Sequence, residues 1–360
     1  MTSVFILFLC FVAALILAEV LSHVAFRMYY GVPFHDRRIA NYPYADFVEW
    51  VDPPLHYIYK KGFRSRTVNT NRFRLRGADP AEDGVKRRVL VLGESNFFGA
   101  KLRDEQCLWS NTLSQLLIKE GHGDWEVLNG GSAQYNCSQH WHFWAGELER
   151  VKPEILIVSF GGNDISQMNV MGEKWNTQAH WPKDFLLKLL ERKVPRWRNL
   201  LEPFCLYFFL RRIIKENAPP RFGKGPGQLP WAECKRHILD QYRKFCDDAR
   251  GKGIRIAFTA PFGVYSRVVN AAEEKRLCAI QGNYRQSIDR DAFYIFDITD
   301  TLMHELCSEL EVPYLDLKED FDAYPRRFEC WYDLMHWNER GMKVIAQSLY
   351  KRIHQLGWWN

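Results

Sequence analysis

VLVLGESNFFG, residues 89–99, sets an uninterrupted apolar run against a glycine, an acid and a single serine. The run is short, rich in valine and closed by Gly93, which reads as a strand buried on both faces. Ser95 then has two readings. It can be the cap of the next helix, or a nucleophile held at the mouth of a sheet, and the local sequence leaves both open. Four more apolar runs follow, the first two also ended by glycines: WEVLNGG (125–131), ILIVSFGGND (155–164), RIAFTAP (255–261) and VPYLDL (312–317). Helical stretches separate them. CLWSNTLSQLLIKEG (107–121) follows the first strand; Cys234, Ile238, Tyr242, Phe245 and Ala249 fall on one helical face; Ile345, Leu349 and Ile353 recur at i, i+4 and i+8. Buried strands alternating with helices predict an α/β fold, a three-layer α/β/α sandwich around a five-stranded parallel sheet.

In an open parallel sheet, ligands bind beyond the carboxyl ends of the strands. The first three strands end there in GES (93–95), NGG (129–131) and GGND (161–164), and CWYDLMHWNERG (330–341) supplies Asp333 and His336 near the C-terminus. Each alone is ordinary turn or cap chemistry. Together and in this order they resemble the four blocks of the SGNH, or GDSL-like, serine hydrolases, over about residues 87 to 355. The candidates for the four name-giving positions are Ser95, Gly131, Asn163 and His336, with Asp333 three residues before the histidine and Gly341 before the last helix. The resemblance implies the flavodoxin-like fold of that family and a bacterial, membrane-anchored member. Two departures stand out. The first block reads Gly-Glu-Ser where the family usually has Gly-Asp-Ser, so Glu94 is one methylene longer. In the second block Gln134 stands where a further glycine is common.

The chemistry needs these residue types. A serine hydroxyl requires a base within hydrogen-bond reach. His336 is the candidate base for Ser95, and Asp333 would hold the imidazole tautomer. An oxyanion needs donors: the N–H of Ser95, the N–H of Gly131 and the side-chain amide of Asn163 are the candidates. Asp164 is expected to brace its turn. Trp331, Trp337, Phe97 and Phe98 could line the cleft or fill the core. The resemblance implies hydrolysis of an ester, with an acylated (for instance acetylated) envelope carbohydrate or lipid as substrate. An acyltransferase using the same triad, or a non-catalytic assembly protein of surface-polysaccharide synthesis, are the alternatives. The G-x-S-x-G elbow of the α/β-hydrolases is absent.

The rest of the chain bounds the partners. Net charge is only +6 over 360 residues, which does not demand nucleic acid, and none is expected. No dinucleotide or P-loop fingerprint and no zinc-finger spacing occurs, so no cofactor and no metal are implied. VFILFLCFVAALILA (4–18) and VLSHVAF (20–26), parted by Glu19, approach the roughly 20 residues that span a bilayer. Residues 1–27 are therefore expected to form a single-pass anchor. The charge rule would put Arg27, Arg37 and Arg38 in the cytoplasm, whereas the resemblance implies an extracytoplasmic (periplasmic) body. Residues 28–86, with GFRSRTVNTNRFRLRG, are expected to be an extended lead-in whose arginines are solvated or face anionic lipid. Residues 87–356 form the hydrolase-like domain, with a helical insertion at about 166–253. That insertion carries LLEPFCLYFFLRRIIKEN, read as a buried helix or, alternatively, a lid or membrane-dipping element.

Overall fold

The computed structural model describes residues 2–30, 33–34, 44–171, 175, 200–201, 203–215, 230–264, 271–281, 290–333 and 335–359. The proline- and glycine-rich stretch at 219–229, and much of the expected insertion, lie outside them.

Among the described residues there are six strands. β1 (Val48–Trp50) and β2 (Tyr57–Tyr59) form an antiparallel pair. β3 (Arg87–Gly93), β4 (Trp125–Gly131), β5 (Ile155–Ser159) and β6 (Arg255–Phe258) form one parallel sheet in the order β4-β3-β5-β6. Successive side chains leave a strand on opposite faces, and here both faces are buried. Leu90, Leu92, Leu156 and Val158 enter one core with Ile238, Tyr242 and Phe245 of the helix Trp231–Gly251. Val89, Val91, Ile155 and Ile157 enter the other with Leu113, Ile345, Leu349 and Ile353. The result is the expected three-layer α/β/α arrangement.

The sheet has four strands, not five. The stretch 312–317 meets β6 through a single parallel bridge, Phe258 with Tyr314. Phe258 N–H donates to Pro313 O at 3.0 Å and Leu315 N–H to Phe258 O at 2.8 Å. Pro313 has no N–H of its own, so the ladder cannot extend through it.

The lead-in also departs from expectation. From residue 44 it folds onto the body: Phe47, Tyr57, Tyr59, Val68 and Leu75 share the core of Leu90 and Phe98. Two arginines, one in the lead-in and one at the start of β3, are interior. Arg76 is 1% exposed, and its guanidinium meets Glu105 Oε2 at 2.7 Å while donating to Phe98 O at 2.7 Å, Gly99 O at 2.8 Å and Thr67 O at 2.6 Å. Arg88, 3% exposed, pairs with Glu126 at 2.7 Å and Asp83 at 2.8 Å. A buried guanidinium survives only where its donors are spent on acceptors, and here the lead-in and the body both supply them. The long apolar helix runs Thr2–Tyr30, and Ser22, Phe26 and Tyr30 are buried at i, i+4 and i+8. Its C-terminal end therefore docks on the body, while Val4 to Leu17 remain exposed.

Arg76→Ala leaves the Glu105 carboxylate and two helix-end carbonyls without their partner. The full chain in detergent should lose about 3–5 kcal/mol in denaturant unfolding, the cost of breaking a buried pair. A loss below about 1 kcal/mol would mean the pair behaves as a surface one.

Candidate active site

The order β4-β3-β5 places the topological switch between β3 and β5, where the chain crosses to the other side of its first strand. The serine sits there. Gly93 ends β3, Glu94 is extended at φ −80° and ψ −160°, and Ser95 opens the four-residue helix Ser95–Phe98. Four contacts hold this helix. Arg76 takes its terminal carbonyls, and Phe97 O accepts from Trp109 Nε1 at 2.7 Å and from Asn129 Nδ2 at 2.9 Å. A side chain at Gly131 would meet Phe98 N at 2.1 Å, so only glycine lets β4 approach so closely.

Ser95 Oγ lies 3.0 Å from His336 Nε2, across 241 residues of sequence. His336 Nδ1 lies 2.9 Å from both carboxylate oxygens of Asp333. With Asp333 as acceptor the Nδ1–H tautomer is favoured, which leaves Nε2 to accept from the serine hydroxyl. The turn that carries the pair is closed on itself. Asp333 Oδ1 also accepts from the N–H of Met335 and of His336, at 2.9 Å each, and Trp331 and Trp337 form an antiparallel bridge across its base. Lys101, a residue that no motif marks, pairs with Asp333 Oδ2. Burial alone would push the Asp333 carboxyl up, but His336 and Lys101 beside it more than offset that and hold it well below the usual range.

The third block is tied to the first by Glu94. Its buried carboxyl accepts from Gly161 N–H at 3.1 Å and Asn163 N–H at 2.7 Å. The two glycines have separate reasons: Gly161 stands at φ +114°, and a Cβ on Gly162 would meet Glu94 Oε2 at 2.9 Å. Burial pushes the Glu94 carboxyl up to about 8, with Asp164 nearby adding to it, although the backbone N–H donors work the other way. Asn163 lies in the same small cavity as Ser95, and its Nδ2 donates to Tyr135 O at 2.9 Å. An amide nitrogen carries two hydrogens, so one is left for the cavity.

Gly131, expected as an oxyanion donor, has a different role in this structure. Its N–H donates to Asn129 Oδ1 at 2.9 Å, and its missing side chain serves the close approach of the serine helix. Gln134, the departure in the second block, is at φ +64°. That is the left-handed region which glycine enters without cost and other residues rarely adopt. The flanking aromatics are core: Phe97, Phe98 and Trp337 are fully buried and Trp331 is 4% exposed. Pro261, Phe262 and Met335 line the cavity in their place, and its volume is about 20 Å³.

Asp164 braces its turn. Its carboxylate accepts from Cys137 N–H at 3.0 Å and from Cys137 Sγ at 2.8 Å. With His237 these form one buried group among the described residues whose donor atoms lie within 4.8 Å of each other. The two hydrogen bonds already account for the carboxylate without an ion.

No family model matches the sequence, and no curated protein matches it. Among solved structures the chain is similar to a lipase/acylhydrolase from Enterococcus faecalis, at 11% identity over 75% of this chain and 96% of that one, TM-score 0.41. It is also similar to a catalytic mutant of an acetylxylan esterase from Geobacillus stearothermophilus, at 13% identity over 76% and 96%, TM-score 0.42. A GDSL-like lipase from Bacteroides thetaiotaomicron matches at 10% identity over 77% and 91%, TM-score 0.40. The contacts of the site described above stand independently of these likenesses.

The folded chain keeps the Glu94 proton up to about pH 8, whereas the unfolded chain releases it near 4.5. Between those values the folded state holds the extra proton, so stability falls as pH rises, by up to about 1.4 kcal/mol per pH unit. Glu94→Gln cannot ionise and should flatten that part of a Tm-against-pH curve. Parallel curves for the two proteins from pH 5 to 8 would show that Glu94 does not titrate in this window.

Proposed function

We propose that this chain is a serine ester hydrolase in which Ser95 is the nucleophile, His336 the general base and acid, and Asp333 the group that orients it. The observation that carries this is the unbroken relay from Ser95 Oγ to His336 Nε2, at 3.0 Å, and from His336 Nδ1 to Asp333, at 2.9 Å. Nothing about a capping serine requires a histidine there, nor a carboxylate behind the histidine.

The reaction runs in two halves. Ser95 Oγ attacks the acyl carbonyl as its proton passes to His336 Nε2. The tetrahedral intermediate collapses, His336 returns the proton to the leaving alcohol, and an acyl-enzyme remains. Water then attacks the acyl carbon with His336 again as base, and the acid departs. Negative charge on the carbonyl oxygen is met by the N–H of Ser95 and by the second amide hydrogen of Asn163. Glu94 and Tyr135 O hold Asn163 in place for that role.

The small cavity shared by Ser95 and Asn163 supports a short acyl group such as acetyl over a long acyl chain. The resemblance of the four sequence blocks supports an acylated envelope carbohydrate or lipid as the source of that group. The long apolar helix Thr2–Tyr30 supports attachment to a membrane, with the body on its extracytoplasmic side as the resemblance implies.

Ser95→Ala and His336→Ala should each lower kcat by roughly 10⁴-fold or more, and the double variant should be scarcely worse than either, since the two act as a unit. Losses that multiply would mean that the residues share no proton transfer. Asn163→Ala should lower kcat by roughly 10²–10³ with KM little changed; near-normal kcat would remove it from the oxyanion site. On aryl esters of increasing length, acetate should be turned over fastest, and a preference for octanoate would overturn the short-acyl reading.

A further inference from the structure

Glu19 interrupts an apolar helix, and its carboxylate is engaged by a second one. Its Oε1 accepts from Cys205 N–H at 2.7 Å and its Oε2 from Leu206 N–H at 2.9 Å, with His23 Nε2 at 3.0 Å from Oε1. Those two N–H groups are among the orphan donors that open the helix Cys205–Lys215. Further along, Cys205 Sγ donates to Ser22 O at 3.3 Å, and the Phe208 ring lies 5.3 Å from Phe26 and 6.3 Å from Tyr30. Residue 205 is thus level with residues 19–22 and residue 208 with residues 26–30. The two helices run in the same direction, so Phe204, one residue ahead of Cys205, lies near the height of Glu19.

Four apolar side chains in this second segment are uncovered: Leu200 at 71%, Leu201 at 38%, Phe204 at 48% and Leu210 at 50%. Phe204 adjoins Cys205, which holds Glu19, and next to Glu19 on the long helix Val20, Leu21 and Val24 are themselves exposed. A span beginning at Val4 and rising 1.5 Å per residue covers roughly 30 Å by Val24, which puts Glu19 roughly 7 Å inside its exit. An acid at that depth is costly unless partnered. A helix N-terminus, with unpaired N–H groups and the positive end of its dipole, is a suitable partner.

We propose that Leu200, Leu201 and Phe204, ahead of the helix Cys205–Lys215, belong to a second membrane-contacting element, set into the lipid layer nearest the body alongside the anchor, with Glu19 as the lock between them. The proposal rests on reading Thr2–Tyr30 as a bilayer span. The occupant of the uncovered surface is lipid because that surface continues the exposed surface of the long helix, and any other cover would have to enclose both. Exposed apolar side chains of this size, gathered around a polar cap, are what an interfacial element presents.

The full chain, with Cys10, Cys107 and Cys278 changed to Ser, is labelled with bimane at one introduced cysteine and reconstituted in vesicles containing acyl-chain nitroxide lipids. Phe204→Cys is the test position, Leu9→Cys marks the span, and Ile118→Cys, 62% exposed on the helix Trp109–Lys119, marks the body. Labels at positions 9 and 204 should be quenched alike and the label at 118 should not. If position 9 is quenched while 204 matches 118, the span stands and the second element is refuted. If neither 9 nor 204 is quenched, both readings fall. Glu19→Leu makes the anchor more apolar and removes the lock, so quenching at 204 should drop while that at 9 holds. Unchanged quenching at 204 in that variant would overturn the role of Glu19.

Discussion

Burial of both faces of the parallel sheet governs where polar chemistry can occur in this chain. With Leu90 and Leu92 committed to one core and Val89 and Val91 to the other, β3 meets polar groups only at its ends, ion-paired arginines at one and the serine turn at the other, the carboxyl end. Ser95 stands there, and so do the turns after β4 and β5. The rest of the site follows from filling that edge. Asn129 braces the serine helix, Glu94 reaches to the turn of β5, and the turn of Asp333 and His336 closes over the top. Each side chain is fixed by a neighbour that is itself buried or bonded, which is how a reactive group keeps its geometry.

The strands were legible because burial on two faces leaves a plain mark, a short apolar run ended by glycine. The helical faces of Cys234 to Ala249 and Ile345 to Ile353 were legible for a similar reason, and all eight side chains are wholly buried. The stretch 312–317 is also a short apolar run, without the closing glycine, and yet pairs at one residue, because a run of apolar residues says nothing about whether Pro313 must supply a donor. The nearness of Ser95, Asp333 and His336 came from the order of the motifs and from no local signal. The role of Gly131 was not legible, because glycine has two uses, exposing an N–H and admitting a close neighbour, and the sequence does not distinguish them.

Charged residues inside the protein were the least legible part. Arg76 lies in a stretch that reads as solvated, and nothing local marks Arg88, Glu94 or Lys101 as buried, since in general such side chains are exposed. What buries them is a set of partners scattered across the chain: Glu105 and three carbonyls for Arg76, the N–H groups of residues 161 and 163 for Glu94, Asp333 for Lys101. No window of sequence holds both halves of any of these. A lead-in that seemed a solvated strip thus becomes the clamp on the serine helix.

Glu94 also acts as a gauge of length. Its carboxyl spans the gap between the ends of β3 and β5, so the distance between those ends is written into the number of carbons in one side chain. An aspartate there would draw the carboxyl back by roughly one bond, about 1.5 Å, and the turn at 161–163 would have to follow it or release its bonds. The positions are therefore a matched pair, and neither can vary alone without moving Asn163 relative to Ser95. Chains sharing this architecture should sort into two sets of turn geometry, one for each acid, with the shape of the cleft changing between them.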